Sequence, residues 1–296
     1  MATSGARSEP PLVVIVGPTA SGKTALAIEL AKQFNGEIIC ADSRTIYKGM
    51  DVGTAKPSRE ERAQVSHWGL DLVEPDERFT AADFQQYAQQ TMTDIRSRGH
   101  VPFVVGGTGL YVDGLLFDYE FGEDYDPERR HQLEMLTVEE LQEYCYKHNI
   151  QLPRNDQNHR QLVRAIEQES INEKRKSVPI QNTIVVGIAT NREILRARIT
   201  ARIEQMLTHG VVEEAIKLGK KYGWEAPAMT SNIYPLIKLH LEDQLTQAEI
   251  VDKNTTVDWQ LAKRQMTWFR RNPYINWGSP EQIHDYVTAV LEQKVW

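Results

Sequence analysis

The sequence predicts an α/β fold: a parallel sheet flanked by helices, with a small helical insertion and a helical C-terminal part. Three observations carry this. Short apolar runs at 13–16, 38–41 and 101–105 are bounded by glycine or polar residues. Helical patterns at 23–34 and 81–98 fill the gaps between them, and such alternation makes a parallel sheet with helices on both faces. The first apolar run also passes straight into GPTASGKT, residues 17–24, which opens the first helix.

In chain order, the helix at 81–98 has Thr80 as its expected cap. A fourth apolar run at 183–189 adds another parallel strand. Between 119 and 180 no strong strand pattern occurs, but two helical segments do, at 138–147 and 158–169. This reads as an insertion at 119–180 within a core made of 10–118 and 181–296. From 192 onward the pattern is helical, at 192–207, 211–222, 245–251 and 255–270.

Composition limits the function classes. A length of 296 residues suits one large domain or two unequal ones. A formal charge of −7 argues against non-specific coating of nucleic acid. That charge is uneven: Glu120, Glu123, Asp124, Asp126 and Glu128 crowd one stretch, while 154–176 is basic and Lys263, Arg264, Arg270 and Arg271 form a second basic group. Such groups either dock a polyanion locally or lie on solvated helix faces. Cys40 and Cys145 cannot make a disulfide framework and fit a reducing, cytoplasmic setting. No apolar run is long enough to span a bilayer, and MATSGARSEPP lacks the apolar core of a signal peptide.

Gly17, Gly22, Lys23 and Thr24 satisfy GxxxxGK[ST] between a strand and a helix, the pattern of a P-loop. The glycines let the backbone N–H groups of 17–24, including those of Thr19, Ala20 and Ser21 after Pro18, turn toward an anion at the helix start. Lys23 brings an ammonium to terminal phosphate oxygens, and Thr24 offers a hydroxyl to Mg²⁺. The loop does not name ATP. The strand at 101–105 ends in GGTGLY, with no metal-holding acid, whereas the strand at 38–41 ends in Asp42. Asp42 is then a metal ligand, a proton acceptor, or a cap for nearby backbone N–H groups. It opens the long polar loop DSRTIYKGMDVGTAKP, and Thr108 adds a hydroxyl at the next strand end. Three such loops at the carboxyl edge of one sheet make a pocket.

These segments closely resemble the tRNA dimethylallyltransferases, also called tRNA isopentenyltransferases. The matching stretches run in order through most of the chain: GPTASGKT, ADSRTIYKGMDVGTAKP, HWGLDLVEPDERFTAADF, GGTGLY, RQLVRAIE, REILRARITARIEQMLTHGVVEEA and QLAKRQMTWFR. The resemblance implies a P-loop NTPase-like core and transfer of a dimethylallyl group from its diphosphate to the exocyclic amine of an adenine beside the anticodon. It implies that Gly17, Pro18, Thr19, Ala20, Ser21, Gly22, Lys23 and Thr24 hold the diphosphate, with Mg²⁺ at Thr24. Asp42 is then the general base, and Thr108 its partner at the amine. The tRNA anticodon stem-loop is expected at Asp42, Ser43, Arg44, Thr45 and Thr108, and at Arg130, Arg160, Gln161 and Arg164 in the insertion. Arg160 and Arg164 share a helix face, as do Arg198 and Arg202, whose alternative use is pairing with acids on their own helices. Trp268 and Phe269 are expected in the core.

Thr230, Ile233 and Thr45 stand where the family usually has arginine, glycine and glutamine. Loss of a phosphate-facing arginine removes a charge-assisted hydrogen bond. Alternatives therefore stay open: prenyl transfer to a free adenine nucleotide, a P-loop small-molecule kinase, or a tRNA-binding relative without activity. A monomer is expected, since no heptad or apolar strip calls for a dimer.

Overall fold

The computed structural model describes residues 9–121, 127–153, 155–168, 175–230 and 233–294. The acidic residues Glu123, Asp124 and Asp126, and Arg154 at the start of the basic stretch, lie outside them. The chain divides into two compact units, one comprising Met1–Leu115 with Gln181–Trp296, the other Leu116–Ile180.

The first unit is built on six parallel strands. They are β1 (Leu12–Val16), β2 (Gly36–Ala41), β3 (His67–Trp68), β4 (Val101–Gly106), β5 (Thr183–Ile188) and β6 (Asn276–Gly278), in the spatial order β3-β2-β4-β1-β5-β6. The central strands are buried along nearly their whole length, as parallel strands covered on both faces must be. Alternation sets the two faces. Val13, Ile15, Phe103, Val105 and Val186 pack with Leu26 and Leu30 of α1 (Lys23–Gln33) and with Ile283 and Val287 of α12 (Pro280–Glu292). The helix α3 (Ala81–Ser97) packs on β2 and β4, yet none of its buried residues joins that cluster, so it covers the opposite face. Its N-terminus is the expected one: the Thr80 side chain accepts from the Asp83 amide, while the Asp83 carboxylate accepts from the Thr80 amide.

A second core in the same unit is helical. It joins Ile46 and Met50 to α8 (Arg192–Thr208), α9 (Val211–Tyr222), α10 (Tyr234–Leu241) and α11 (Gln247–Phe269). The expected break between 251 and 255 is absent: α11 is one 23-residue helix. Asn254, Thr255 and Thr256 are weak helix formers, but Asn254 and Thr255 are buried, and the Thr255 hydroxyl lies 3.2 Å from that of Thr200 on α8. Tertiary packing overrides the local preference. The expected sheet also gains β3 and β6, short strands at its two edges.

The second unit is helical. Leu133 of α5 (Pro127–Glu134), Leu141 and Cys145 of α6 (Val138–Lys147), and Leu162, Val163 and Ile166 of α7 (His159–Gln168) form its own core. No helix among the described residues is long and apolar enough to cross a membrane.

Candidate active site

Because all strands are parallel, the segments leaving β1, β2 and β4 emerge at one edge of the sheet, with β4 between the other two. They line a cleft of about 1130 Å³ together with Arg198, Arg202, Arg264 and Gln265 from the helices. Pockets that take a drug-sized ligand span roughly 300–1,000 Å³, so this cleft lies just above that range.

The phosphate loop forms as its sequence demands. Gly22 has φ 94°, a left-handed conformation that a side chain would resist. Thr19, Ala20, Ser21, Gly22, Lys23 and Thr24 line the cleft, whereas Gly17 and Pro18, expected to share in the same anion site, are not among its lining residues. Lys23 Nζ donates to Pro18 O at 2.7 Å. Burial pulls the Lys23 ammonium down to about 8, Asp42 partly restores it, and the positive charge of Arg202 lowers it further. The site thus holds a buried ammonium with Asp42 as its stabilising countercharge.

Asp42 leaves β2 with its Oδ1 accepting from the Arg44 amide at 2.8 Å. One carboxylate oxygen caps the turn, and Oδ2 has no hydrogen-bond partner among the described residues. Thr108 accepts from the Ser43 amide at 3.0 Å, and its hydroxyl faces that of Ser43 at 3.4 Å. Ser43, Arg44, Thr45 and Thr108 all line the cleft. Thr45 is buried and turns its hydroxyl back to Asp42 O at 3.4 Å.

Several organising residues were not singled out from sequence. Gln265 bridges two loops: its Oε1 accepts from the Thr19 amide at 2.8 Å, and its Nε2 donates to Gly107 O at 3.1 Å. The glycines of GGTG serve this approach, since a Cβ on Gly107 would lie 2.3 Å from Gln265 Nε2 and one on Gly109 2.3 Å from the Trp268 ring. Glu214 accepts from the amides of Asp51, Val52 and Gly53 at 2.8, 2.8 and 2.9 Å, and from the Tyr234 hydroxyl at 2.8 Å. Lys56, its side chain fully buried, bridges Asp51 and Asp71. These contacts fix the MDVGTAKP segment. Such residues look like ordinary polar positions until the fold supplies their partners.

Some expectations need correction. Trp268 is not simply core: it lines the cleft and donates to Asp113 Oδ2 at 2.7 Å, whereas Phe269 is fully buried. Arg202 pairs with Asp258 on α11 rather than with an acid on its own helix, and Arg198 donates to Ser21 O at 3.4 Å. Thr230 lies exposed on the cleft wall with its hydroxyl on Pro227 O at 2.8 Å, but Ile233 and Tyr234 are buried in the helical core. In the second unit, Arg160, Gln161 and Arg164 are exposed on α7. Arg130 is bound by Glu134 at 2.8 Å and Glu167 at 3.0 Å.

The IPP transferase family model matches residues 45–272, and the isopentenyl transferase model matches 10–73. The tRNA dimethylallyltransferase of Staphylococcus carnosus is 36% identical, covering 97% of this chain and 98% of its own length. That of Acetivibrio thermocellus is 40% identical over 92% of each. The crystal structure of the tRNA isopentenylpyrophosphate transferase of Bacillus halodurans superposes with a TM-score of 0.73 at 34% identity, covering 97% of this chain and 98% of that one. With matches of this length and identity, the chain belongs to the tRNA dimethylallyltransferase family of prenyl transferases.

Proposed function

We propose that this cleft transfers a dimethylallyl group from dimethylallyl diphosphate to the exocyclic amine of an adenine beside the anticodon of a tRNA. One observation carries the reading: a phosphate loop carrying Lys23 and a carboxylate with one uncommitted oxygen, Asp42, line the same cleft. A kinase reading lacks support from the family, whose members here are named for tRNA.

The loop amides and Lys23 bind the diphosphate and stabilise the charge that develops as its bond to the allylic carbon breaks. The adenine amine is a weak nucleophile because its lone pair is delocalised into the ring. As the new N–C bond forms, Asp42 Oδ2 takes one amine proton. The second amine hydrogen points to Thr108, whose oxygen is already held by the Ser43 amide. The electrons of the broken C–O bond leave with the diphosphate, so the step balances.

Thr24, in the first turn of α1, lines the cleft beside Lys23. Among the described residues no group of three His, Cys, Asp or Glu could hold a metal by itself. The Thr24 hydroxyl would help hold a Mg²⁺ ion in this cleft, and the ion would neutralise charge developing on the leaving group. Arg198, Arg202 and Arg264 line the cleft and supply cations where Thr230 does not.

The adenine must leave its stack to react, at a cost of a few kcal/mol. Contacts elsewhere on the anticodon stem-loop offset that cost, and the exposed Arg160, Gln161 and Arg164 suit that role. Arg130 would join them by exchanging its carboxylate partners for phosphate. We take the enzyme to be a cytoplasmic monomer, consistent with its two buried free thiols.

The test is incubation of the purified chain with dimethylallyl diphosphate and unmodified tRNA, followed by mass spectrometry of the nucleosides. A prenylated adenosine from the anticodon loop is expected. Prenylated free adenine nucleotide with untouched tRNA, or ATP turnover indifferent to the allylic donor, would reverse the reading.

A further inference from the structure

The contact between α8 and α11 contains a charged pair where apolar packing would serve as well. Arg202 Nη2 donates to Asp258 Oδ2 at 2.8 Å, with the Asp258 side chain 6% exposed and that of Arg202 27% exposed. Taking two charges out of water costs about as much as their attraction returns, so a buried pair is weak evidence of a stabilising role. Its location suggests another use. Both residues line the cleft, and Arg198, one turn earlier on α8, reaches the phosphate loop at Ser21 O. The positive charge of Arg202 is felt at Lys23, which places the guanidinium within electrostatic reach of the phosphate loop.

The pair is also incompletely satisfied. A guanidinium has five N–H donors. Arg202 Nε is buried and has no hydrogen-bond partner among the described residues. Buried polar atoms are rarely left this way unless something absent completes them.

We propose that Asp258 is a positioning residue of the donor site: it pins the Arg202 guanidinium to the cleft wall so that the remaining N–H groups meet the diphosphate. This rests on reading the cleft as the donor site. The pairing does two things. It fixes a flexible side chain before the anion arrives, which lowers the ordering cost of binding. It also places a negative charge behind the cation, which weakens the site's hold on the diphosphate after transfer.

The consequences have opposite signs. Asp258→Asn keeps an oxygen that can accept from Arg202 Nη2 but removes the charge, so the full-length protein should bind inorganic diphosphate roughly tenfold more tightly. Arg202→Lys keeps a cation against Asp258, and hence the fold, but loses the planar fork and should bind diphosphate about tenfold more weakly. Calorimetric titration with inorganic diphosphate reads both. In transfer assays Asp258→Asn should lower KM for the donor and lower kcat, because the product leaves slowly. A pair that merely joined two helices would shift Tm while leaving diphosphate affinity in both variants within twofold of wild type, and that result overturns the proposal. Should Asp258→Asn fail to fold, Asp258→Ser, which also removes the charge, takes its place, and a diphosphate affinity within twofold of wild type there overturns the proposal. A wild-type protein that does not bind diphosphate overturns the proposal too. One that binds it with these variant effects but leaves tRNA unmodified overturns only the acceptor reading.

Discussion

Gln265 accepts the Thr19 amide at 2.8 Å across 246 residues of sequence, so a side chain of the last long helix shapes the phosphate loop at the start of the chain. Its other end donates to Gly107 O, tying the loop after β1 to the loop after β4. Gln265 therefore holds the gap between the phosphate loop and the loop that carries Thr108. Replacing it with Leu removes two hydrogen bonds worth about 1 kcal/mol each and frees both loops. Replacing it with Glu sets a carboxylate against the Gly107 carbonyl and should be worse. We expect kcat/KM to fall in the order wild type, Gln265→Leu, Gln265→Glu, with the Leu variant down by roughly 10–100-fold. Equal activity in all three would mean that the loop shape does not depend on this bridge.

The capping role of Asp42 decides which substitution tests it. Alanine would remove both the proton acceptor and the bond to the Arg44 amide. Asparagine keeps an oxygen for that amide and loses only the basicity. Asp42→Asn should therefore melt within a degree or two of wild type and bind tRNA normally, while turnover falls about 10²–10⁴-fold. Single-turnover assays with saturating donor check this. Near wild-type turnover in the Asn variant would exclude Asp42 as the base.

The parts of the site legible in the sequence were those with a fixed local spacing. GPTASGKT and the Asp42 strand end declare themselves because loop, glycine and charge are contiguous. Apolar runs buried on both faces reveal β1, β2, β4 and β5, whereas β3 and β6 have two and three residues and give no period. Gln265, Glu214 and Asp258 were illegible for a different reason. Each is a polar residue on a helix, with no local sign that its partners lie on distant loops and helices. The two spacings that were read, Arg198 with Arg202 and Arg160 with Arg164, mark helix faces but not what those faces meet.

Lys23 gives a pH prediction with a definite sign. Its folded-state value is lowered to about 8, chiefly by burial. Below about 8 the fold carries the full cost of holding this charge, and the cost fades as pH climbs toward the ordinary 10.5. Lys23→Met should thus melt higher than wild type at pH 7, with the difference shrinking above pH 8. Donor binding runs the other way. An anionic diphosphate raises the lysine again, so binding takes up a proton above pH 8, and affinity falls by about tenfold per pH unit there. Calorimetry in buffers of different ionisation enthalpy counts that proton. Pyrophosphate binding with no proton uptake at pH 8.5 would mean that Lys23 does not face the anion.

Arg160 tests the insertion separately from the chemistry. It is exposed on α7, with Gln161 and Arg164 exposed beside it. An exposed cation that contacts a phosphate releases a counterion, and each such contact contributes about 0.7–0.9 to the slope of log K against log salt. Arg160→Ala should weaken tRNA binding and flatten that slope by about this amount, while the affinity for inorganic diphosphate stays at the wild-type level. Arg130→Ala should behave differently. It frees Glu134 and Glu167 from their ion pairs, and so it should lower the melting temperature as well as tRNA affinity. Filter-binding at several salt concentrations separates the two. An unchanged slope in Arg160→Ala would move the backbone contacts off this face of α7, leaving the exposed C-terminal group of Lys263, Arg264 and Arg270 as the next cations to remove.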